Sequence, residues 1–369
     1  MSDSVLSRRD FGRLLTAASL GAAAPAFAAT GEPVNHLPPG PKPTLARAPS
    51  RHTRLIKPPR LRQGDIVGLI APAGHTDDAG IEKAVKHIEE LGFKARLGAN
   101  LREVRGNYAG TVQQRLDDLH AMFADREVKA IWCIRGGSGA ISLLSGINYR
   151  LIRSNPKILL GYSDITALHL ALHRHARLVT FHGPVAQSGA SDYSRDHMLA
   201  LLCDPQPRTV ITMADENRVR AATEPQYAVR TVHGGIATGP LIGGNLSLVS
   251  ALVGTPYAAD YHHAILFLEE VNEAPYRIDR WMTQLDLSIA FKHAAALMVG
   301  ICEKCEGKDE DVTLSLNDTL DIHLQPLKVP AVTGYSFGHI RHQFTLPVGV
   351  MATLDTEAQT LTLLEAGVS

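Results

Sequence analysis

The sequence predicts an α/β protein in two parts: an N-terminal open domain with a mainly parallel sheet, and a C-terminal mixed α/β domain. Three observations carry this. In the first half, short apolar runs that end in glycine or proline alternate with amphipathic helical stretches, the pattern of strand–helix–strand units. After about Asp204 the strand-like runs shorten and glycines cluster at 234–235, 239 and 243–244. A hydrophobic content of 45% with 20% charged residues is that of a folded chain with a core to bury.

Taken in order, Ser7-Arg8-Arg9-Asp10-Phe11 opens a twin-arginine export motif. An apolar stretch over 14–24 follows, then Ala26-Phe27-Ala28, an A-x-A cleavage site. The apolar stretch is far short of the ~20 residues a membrane-spanning helix needs. Residues 1–28 therefore read as a cleaved twin-arginine signal peptide that sends the mature protein to the periplasm. A frayed amphipathic helix is the plainer alternative. Residues 29–59, with Pro33, Pro38, Pro39, Pro41, Pro43, Pro49, Pro58 and Pro59, read as a linker or extended arm.

The N-terminal domain is expected over 60–204. Residues 65–72 form a buried strand, 81–91 and 111–123 helices with apolar positions on one face, and 130–134 a second strand stopped by Arg135-Gly136-Gly137-Ser138-Gly139. A third strand over 158–162 runs straight into a helix over 165–173. Residues 205–234 read as an interdomain linker with strand-like pieces at 209–213 and 227–230. The C-terminal domain follows over 235–369, with strands at 264–268, 294–299 and 348–354 and helices at 245–252 and 277–285.

Lys plus Arg equals Asp plus Glu at 37 each, so no basic field points to nucleic acid. Four cysteines are too few for a disulfide framework. Cys302-Glu-Lys-Cys305 is a lone C-x-x-C with no second ligand pair at zinc-site spacing. It reads either as a metal or redox pair or as two incidental thiols after a buried strand. No H-E-x-x-H is present among the 17 histidines, and His262 and His263 are adjacent rather than one helical turn apart.

Three segments carry candidate chemistry. Gly161-Tyr162-Ser163-Asp164 ends a strand and begins a helix. That places a hydroxyl at the carboxyl end of a parallel sheet, beside helix N-terminal amides able to hold an oxyanion. It is a relative of the nucleophile elbow G-x-S-x-G with Ile165 in the second glycine's place. Ser163 or Asp164 as a plain helix N-cap is the competing reading. Glu269, Glu270 and Glu273 follow a continuous apolar strand, where a carboxylate can orient an imidazole, or where they form a solvated acidic turn. His339 closes Gly334-Tyr335-Ser336-Phe337-Gly338-His339 in a glycine-flanked loop after the apolar run 329–332.

The order Arg-Gly-Gly-x-Gly-Ala (135–140), Gly-Tyr-Ser-Asp-Ile-Thr-Ala (161–167), Phe-His-Gly-Pro (181–184), Gly-Gly-Asn-Leu (243–246), Gly-Thr-Pro (254–256), Phe-Leu-Glu-Glu-Val-Asn-Glu-x-Pro-Tyr-Arg-Ile-Asp-Arg (267–280) and Gly-Tyr-Ser-Phe-Gly-His (334–339) resembles the LD-carboxypeptidase family over roughly residues 60–365. The resemblance implies an α/β N-terminal domain carrying the serine and a swivelling-type C-terminal domain carrying the acid and base. It further implies Ser163 as nucleophile, Glu269 as orienting acid and His339 as general base, with an oxyanion hole at the backbone of Gly137 and Asp164. The activity implied is release of terminal D-alanine from peptidoglycan tetrapeptides, with no metal or organic cofactor and with homodimers common. Where the family loop usually reads Arg-Gly-Gly-Tyr-Gly, this chain has Ser138.

An exopeptidase also needs a cation for the free carboxylate. Arg277 is the candidate here, an interdomain salt bridge being its alternative role. Two rival functions remain: amide hydrolysis of microcin C-type nucleotide-peptides within the same family, and an exported protein that binds muropeptides without cutting them.

Overall fold

The chain is described by a computed structural model covering residues 54–288, 290–307 and 312–369. The leader 1–28 and most of the proline-rich arm lie outside the described residues.

The first sheet is built by β1 (Ile66–Ile70), α1 (Asp78–Glu90), β2 (Lys94–Leu97), α2 (Val112–Ala124), β3 (Val128–Cys133), α3 (Tyr149–Ser154), β4 (Ile158–Gly161), α4 (Thr166–Ala176), β5 (Thr180–His182) and α5 (Asp192–Cys203). The second is built by β6 (Thr209–Ile211), α6 (Asp215–Arg220), β7 (Arg230–His233), β8 (Ile236–Asn245), α7 (Leu246–Ala251), β9 (Ile265–Glu269), α8 (Pro275–Leu287), α9 (Ala290–His293), β10 (Ala296–Gly300), α10 (Leu316–Leu324) and β11 (Ala331–Tyr335). The chain ends in β12 (Leu346–Val348), β13 (Met351–Asp355) and β14 (Thr360–Leu363).

β1, β3 and β4 are almost wholly buried apolar runs, which is why they form the middle of a parallel sheet covered on both faces. The helices between them start on side-chain caps. Asp77 accepts from the Gly80 amide, and Thr111 and Gln114 form a reciprocal capping box. The strand order β12-β5-β4-β3-β1-β2 contains the doubly wound order 2-1-3-4-5, parallel throughout β1–β5, with β12 antiparallel at the edge. In this topology ligands bind beyond the carboxyl ends of the strands, near the switch between β1 and β3.

The second sheet has the order β6-β14-β13-β8-β9-β10-β11-β7. Its four central strands β8–β11 are parallel and the outer ones antiparallel, so it is mixed, as expected. α4, the helix that follows Ser163, is buried along nearly its whole length and packs against β5 of one sheet and β8 of the other. The Asn245 amide, at the end of β8, donates to Thr166 Oγ1 at its start at 2.9 Å.

Three segments depart from the sequence reading. Residues 205–234, expected as a linker, hold β6, α6 and β7, and the two strands form opposite edges of the second sheet. The strand-like piece read at 209–213 covers β6, whereas the piece read at 227–230 meets β7 only at Arg230; both are short edge strands with half-exposed residues, which gives a sequence little sign of the sheet they join. Residues 348–354, expected as one strand, are two: β12 joins the first sheet and β13 the second, and the chain turns between them at Gly349, whose φ of +93° suits glycine. The end of the proline-rich arm, at 54–59, is part of the body. The Ile56 amide donates to the Arg177 carbonyl, its carbonyl accepts from Val179, and Lys57 pairs with Glu365 at 2.7 Å.

Candidate active site

β4 ends at Gly161, and the chain enters α4 through a tight turn at 163–165. Ser163 sits at φ 65°, a left-handed conformation that costs a residue with a Cβ roughly 1–3 kcal/mol and that clusters at functional sites. No side chain caps this turn or α4, which removes the N-cap reading of Ser163. The Asp164 carboxylate is buried and accepts from the Ala140 amide at 2.7 Å. Burial raises it to about 6, opposed by that hydrogen bond and by Arg115. Asp164 thus ties the serine turn to the loop 135–140 after β3. Arg115, a buried side chain of α2 that the sequence reading did not single out, holds the same loop, donating to the carbonyls of Gly139 at 3.0 Å and Pro72 at 2.9 Å.

That loop lies against the serine. A Cβ built on Gly136 would stand 2.7 Å from Ser163 Cβ and 2.9 Å from its Oγ. Gly136→Ala is therefore expected to push the serine out of place and lower kcat about 100-fold while the protein stays folded, since misplacement by ~1 Å costs about that much. Wild-type kcat with a normal melting curve would refute the close-approach argument.

Glu269 is the last residue of β9 and is fully buried; His339 lies in the loop between β11 and β12. The two meet: His339 Nδ1 is 2.7 Å from Glu269 Oε2. Burial pushes the Glu269 carboxyl up, but the charge and hydrogen bond of His339, helped by His182 and Asn245, outweigh it, so the carboxyl lies below the usual range. Burial pulls His339 down, and Glu269 more than reverses this, so the imidazole titrates above its ordinary value. The Tyr162 ring packs on His339 at 4.6 Å between centroids.

Glu270 is not in a solvated turn. It is buried, accepts from Asn245 Nδ2 at 3.0 Å and from the amides of Ser247 and Val271 at 3.0 and 2.9 Å, and is pushed up to about 7 by burial and then by Glu269. Cys302 and Cys305 are free buried thiols, raised by burial and so poor nucleophiles.

Ser163, His339 and Gly137 line one cleft of about 460 Å³, together with Lys83, Arg135, Gly136, Tyr162, Val185, Gln187 and Ser188. Its walls are the loops after β3, β4 and β5 and one face of α1, the carboxyl-end position the topology favours. Arg277 is not among its lining residues. It lies half-exposed on the first turn of α8, 3.2 Å from Glu273 Oε2 and 3.2 Å from the Tyr276 hydroxyl, beside a separate depression lined by Asn272, Lys304 and Glu306. Its i,i+4 pairing with Glu273 holds it on that surface. The cations in the cleft are instead Lys83 and Arg135; Arg135 opens the glycine loop read in the sequence but was given no role there, and Lys83 did not stand out, because an exposed lysine on a helix carries no local signal of a site.

Residues 67–183 match the family model of the LD-carboxypeptidase N-terminal domain and residues 238–354 that of its C-terminal domain. The chain belongs to the LD-carboxypeptidase family. It is 38% identical over 318 residues to the probable murein peptide carboxypeptidase of Bacillus subtilis, covering 85% of this chain and 95% of that one. It is 34% identical to the murein tetrapeptide carboxypeptidase of Pseudomonas aeruginosa, covering 78% and 92%. The crystal structure of an MccF-like protein from Bacillus anthracis superposes with a TM-score of 0.74 at 30% identity, covering 84% and 99%. The protein is thus an enzyme of a serine peptidase family, and its two-sheet α/β fold is that of its relatives. Ser138, where the family loop usually has tyrosine, is exposed.

Proposed function

We propose that this LD-carboxypeptidase-family enzyme releases the terminal D-alanine from peptidoglycan tetrapeptides by cutting the L–D peptide bond through an acyl-enzyme. The observation that carries the reading is the Glu269–His339 pair facing the same cleft as a serine held in a strained elbow. Ser163 comes from the domain at 60–204, and Glu269 and His339 from that at 235–369.

With Nδ1 donating to Glu269, the neutral His339 ring offers Nε2 as the base that takes the Ser163 proton while Oγ adds to the scissile carbonyl. Glu269 stabilises the imidazolium. The amides of Gly137 and Asp164 hold the oxyanion, each donor worth about 3 kcal/mol in the transition state. His339 returns its proton to the departing amine of D-alanine, and water, activated by the same imidazole, hydrolyses the ester. A leader of the twin-arginine type brings the folded enzyme to peptidoglycan in the periplasm. No helix among the described residues is long and apolar enough to cross a membrane.

The test is mass spectrometry of a muropeptide tetrapeptide incubated with the mature protein. Loss of one alanine supports the reading. Binding without cleavage would replace it with capture of muropeptides, and neither binding nor cleavage would turn the search to other amides, microcin C-type conjugates first.

The acid limb of kcat/KM provides a second check. His339 must be neutral to accept the proton, and Glu269 raises its titration above the ordinary 6.5. Activity is therefore expected to fall as pH drops through a midpoint above 6.5. A midpoint at or below that value would contradict the coupling.

A further inference from the structure

The cleft around Ser163 is charged in one sense. Besides His339, its charged lining side chains are Lys83 and Arg135, and no carboxylate among the described residues lines it. An anionic ligand is therefore favoured there.

Arg135 has the better position. It immediately precedes Gly136, the residue packed against the Ser163 side chain. Its guanidinium is braced: Nη1 donates to the His75 carbonyl at 3.0 Å. The loop beneath it is tied to the same segment by the Gly74 amide, which donates to the Gly136 carbonyl at 3.1 Å. That segment in turn reaches the opposite wall, where Thr76 Oγ1 donates to Gln187 Oε1 at 3.0 Å. Only one of the five guanidinium N–H groups is engaged by this brace, so the planar fork remains available to a carboxylate.

The substrate's own geometry selects between candidates. In a peptide with a free C-terminus, only one nitrogen and one Cα separate the scissile carbonyl from the terminal carboxylate. The cation that reads the carboxylate must therefore stand beside the nucleophile. Arg277, in another depression, does not meet this condition. Lys83 reaches the cleft from α1, and its compact charge lacks the fork.

We propose that Arg135 recognises the free terminal carboxylate of the substrate and so restricts the enzyme to exopeptidase cleavage; this rests on the D-alanine-releasing reading above. Lys83 adds a second positive charge for the other carboxylates of an acidic stem peptide.

The test compares two substrates, a tetrapeptide ending in D-alanine and the same peptide ending in D-alaninamide, with the wild type, Arg135→Gln, Arg135→Lys and Lys83→Gln. The wild type is expected to prefer the acid in kcat/KM by roughly 10- to 100-fold, the range for a charged hydrogen bond. In Arg135→Gln that preference should collapse toward one, and in Arg135→Lys an intermediate preference should survive. Because the readout is a ratio within one protein sample, a partly unfolded preparation leaves it unchanged. Should Arg135→Gln fail to fold, the ratio for Arg135→Lys decides: an undiminished preference overturns the proposal. An equal loss on both substrates, or a collapse in Lys83→Gln instead, also overturns it. Cleavage of neither substrate by the wild type would mean that the peptidase reading itself had failed.

Discussion

Ser163→Ala is expected to leave a folded protein that binds the tetrapeptide and releases no measurable D-alanine, with kcat down roughly 10⁴- to 10⁶-fold, as when a nucleophile is removed from a serine hydrolase. The fold should be indifferent to the change. The hydroxyl caps no helix, the φ of 65° is carried by alanine at similar cost, and no buried partner of the hydroxyl is lost. The melting temperature should therefore shift by no more than surface substitutions do, about 0.5 kcal/mol in stability. Single-turnover mass spectrometry would add a positive signature, the acyl-enzyme on the wild-type chain and its absence from the variant. Residual activity within tenfold of wild type would place the nucleophile elsewhere.

Glu269→Gln is expected to separate activity from stability. An amide in place of the carboxylate presents a donor or a weaker acceptor to His339 Nδ1, which favours the wrong tautomer and removes the charge that supports the imidazolium. The expected loss in kcat is about 10⁴-fold. Yet Glu269 is fully buried and its Oε1 has no hydrogen-bond partner among the described residues. Even so, His339 and its neighbours hold the carboxyl below its usual range, so the ionised form favours the fold and the amide should lower stability modestly, far less than it lowers activity. The acid limb of any residual activity should also move to lower pH, since the carboxylate is what raises His339. A variant that loses stability in proportion to its activity would make Glu269 a structural residue only.

Much of this site was legible in the chain. β1, β4, residues 130–133 of β3 and residues 265–268 of β9 are apolar runs, and the residues at or just past their ends, Arg135–Gly139, Ser163 and Glu269, were readable as strand-end groups because a parallel sheet presents its carboxyl ends to ligand. What escaped had weak local signals. β8, at the heart of the second sheet, carries Gly239, Gly243 and Gly244 and reads as a glycine cluster; its place is set by close packing of backbone on backbone, which no propensity records. The burial of Glu270 depends on three donors, among them the Asn245 side chain on β8 and the Ser247 amide on α7, which are remote in sequence. Arg277 was chosen for its motif, but the pairing with Glu273 that keeps it on another surface is a matter of side-chain direction on a helix. Lys83 and Arg135 became candidates only once α1 and the loop after β3 were seen to face one space.

The last strand of the first sheet has a bearing on how the enzyme comes into being. β12 pairs with β5 across more than 160 residues of intervening chain, and His339 lies on the segment that leads to it. A growing polypeptide that has already displayed Ser163 therefore has neither His339 nor a finished sheet edge until residues 339–348 have left the ribosome. On the proposed reading, truncated products of interrupted synthesis lack the base altogether, and the stretch of chain that leads into the closing edge strand is the one that brings His339 to the cleft.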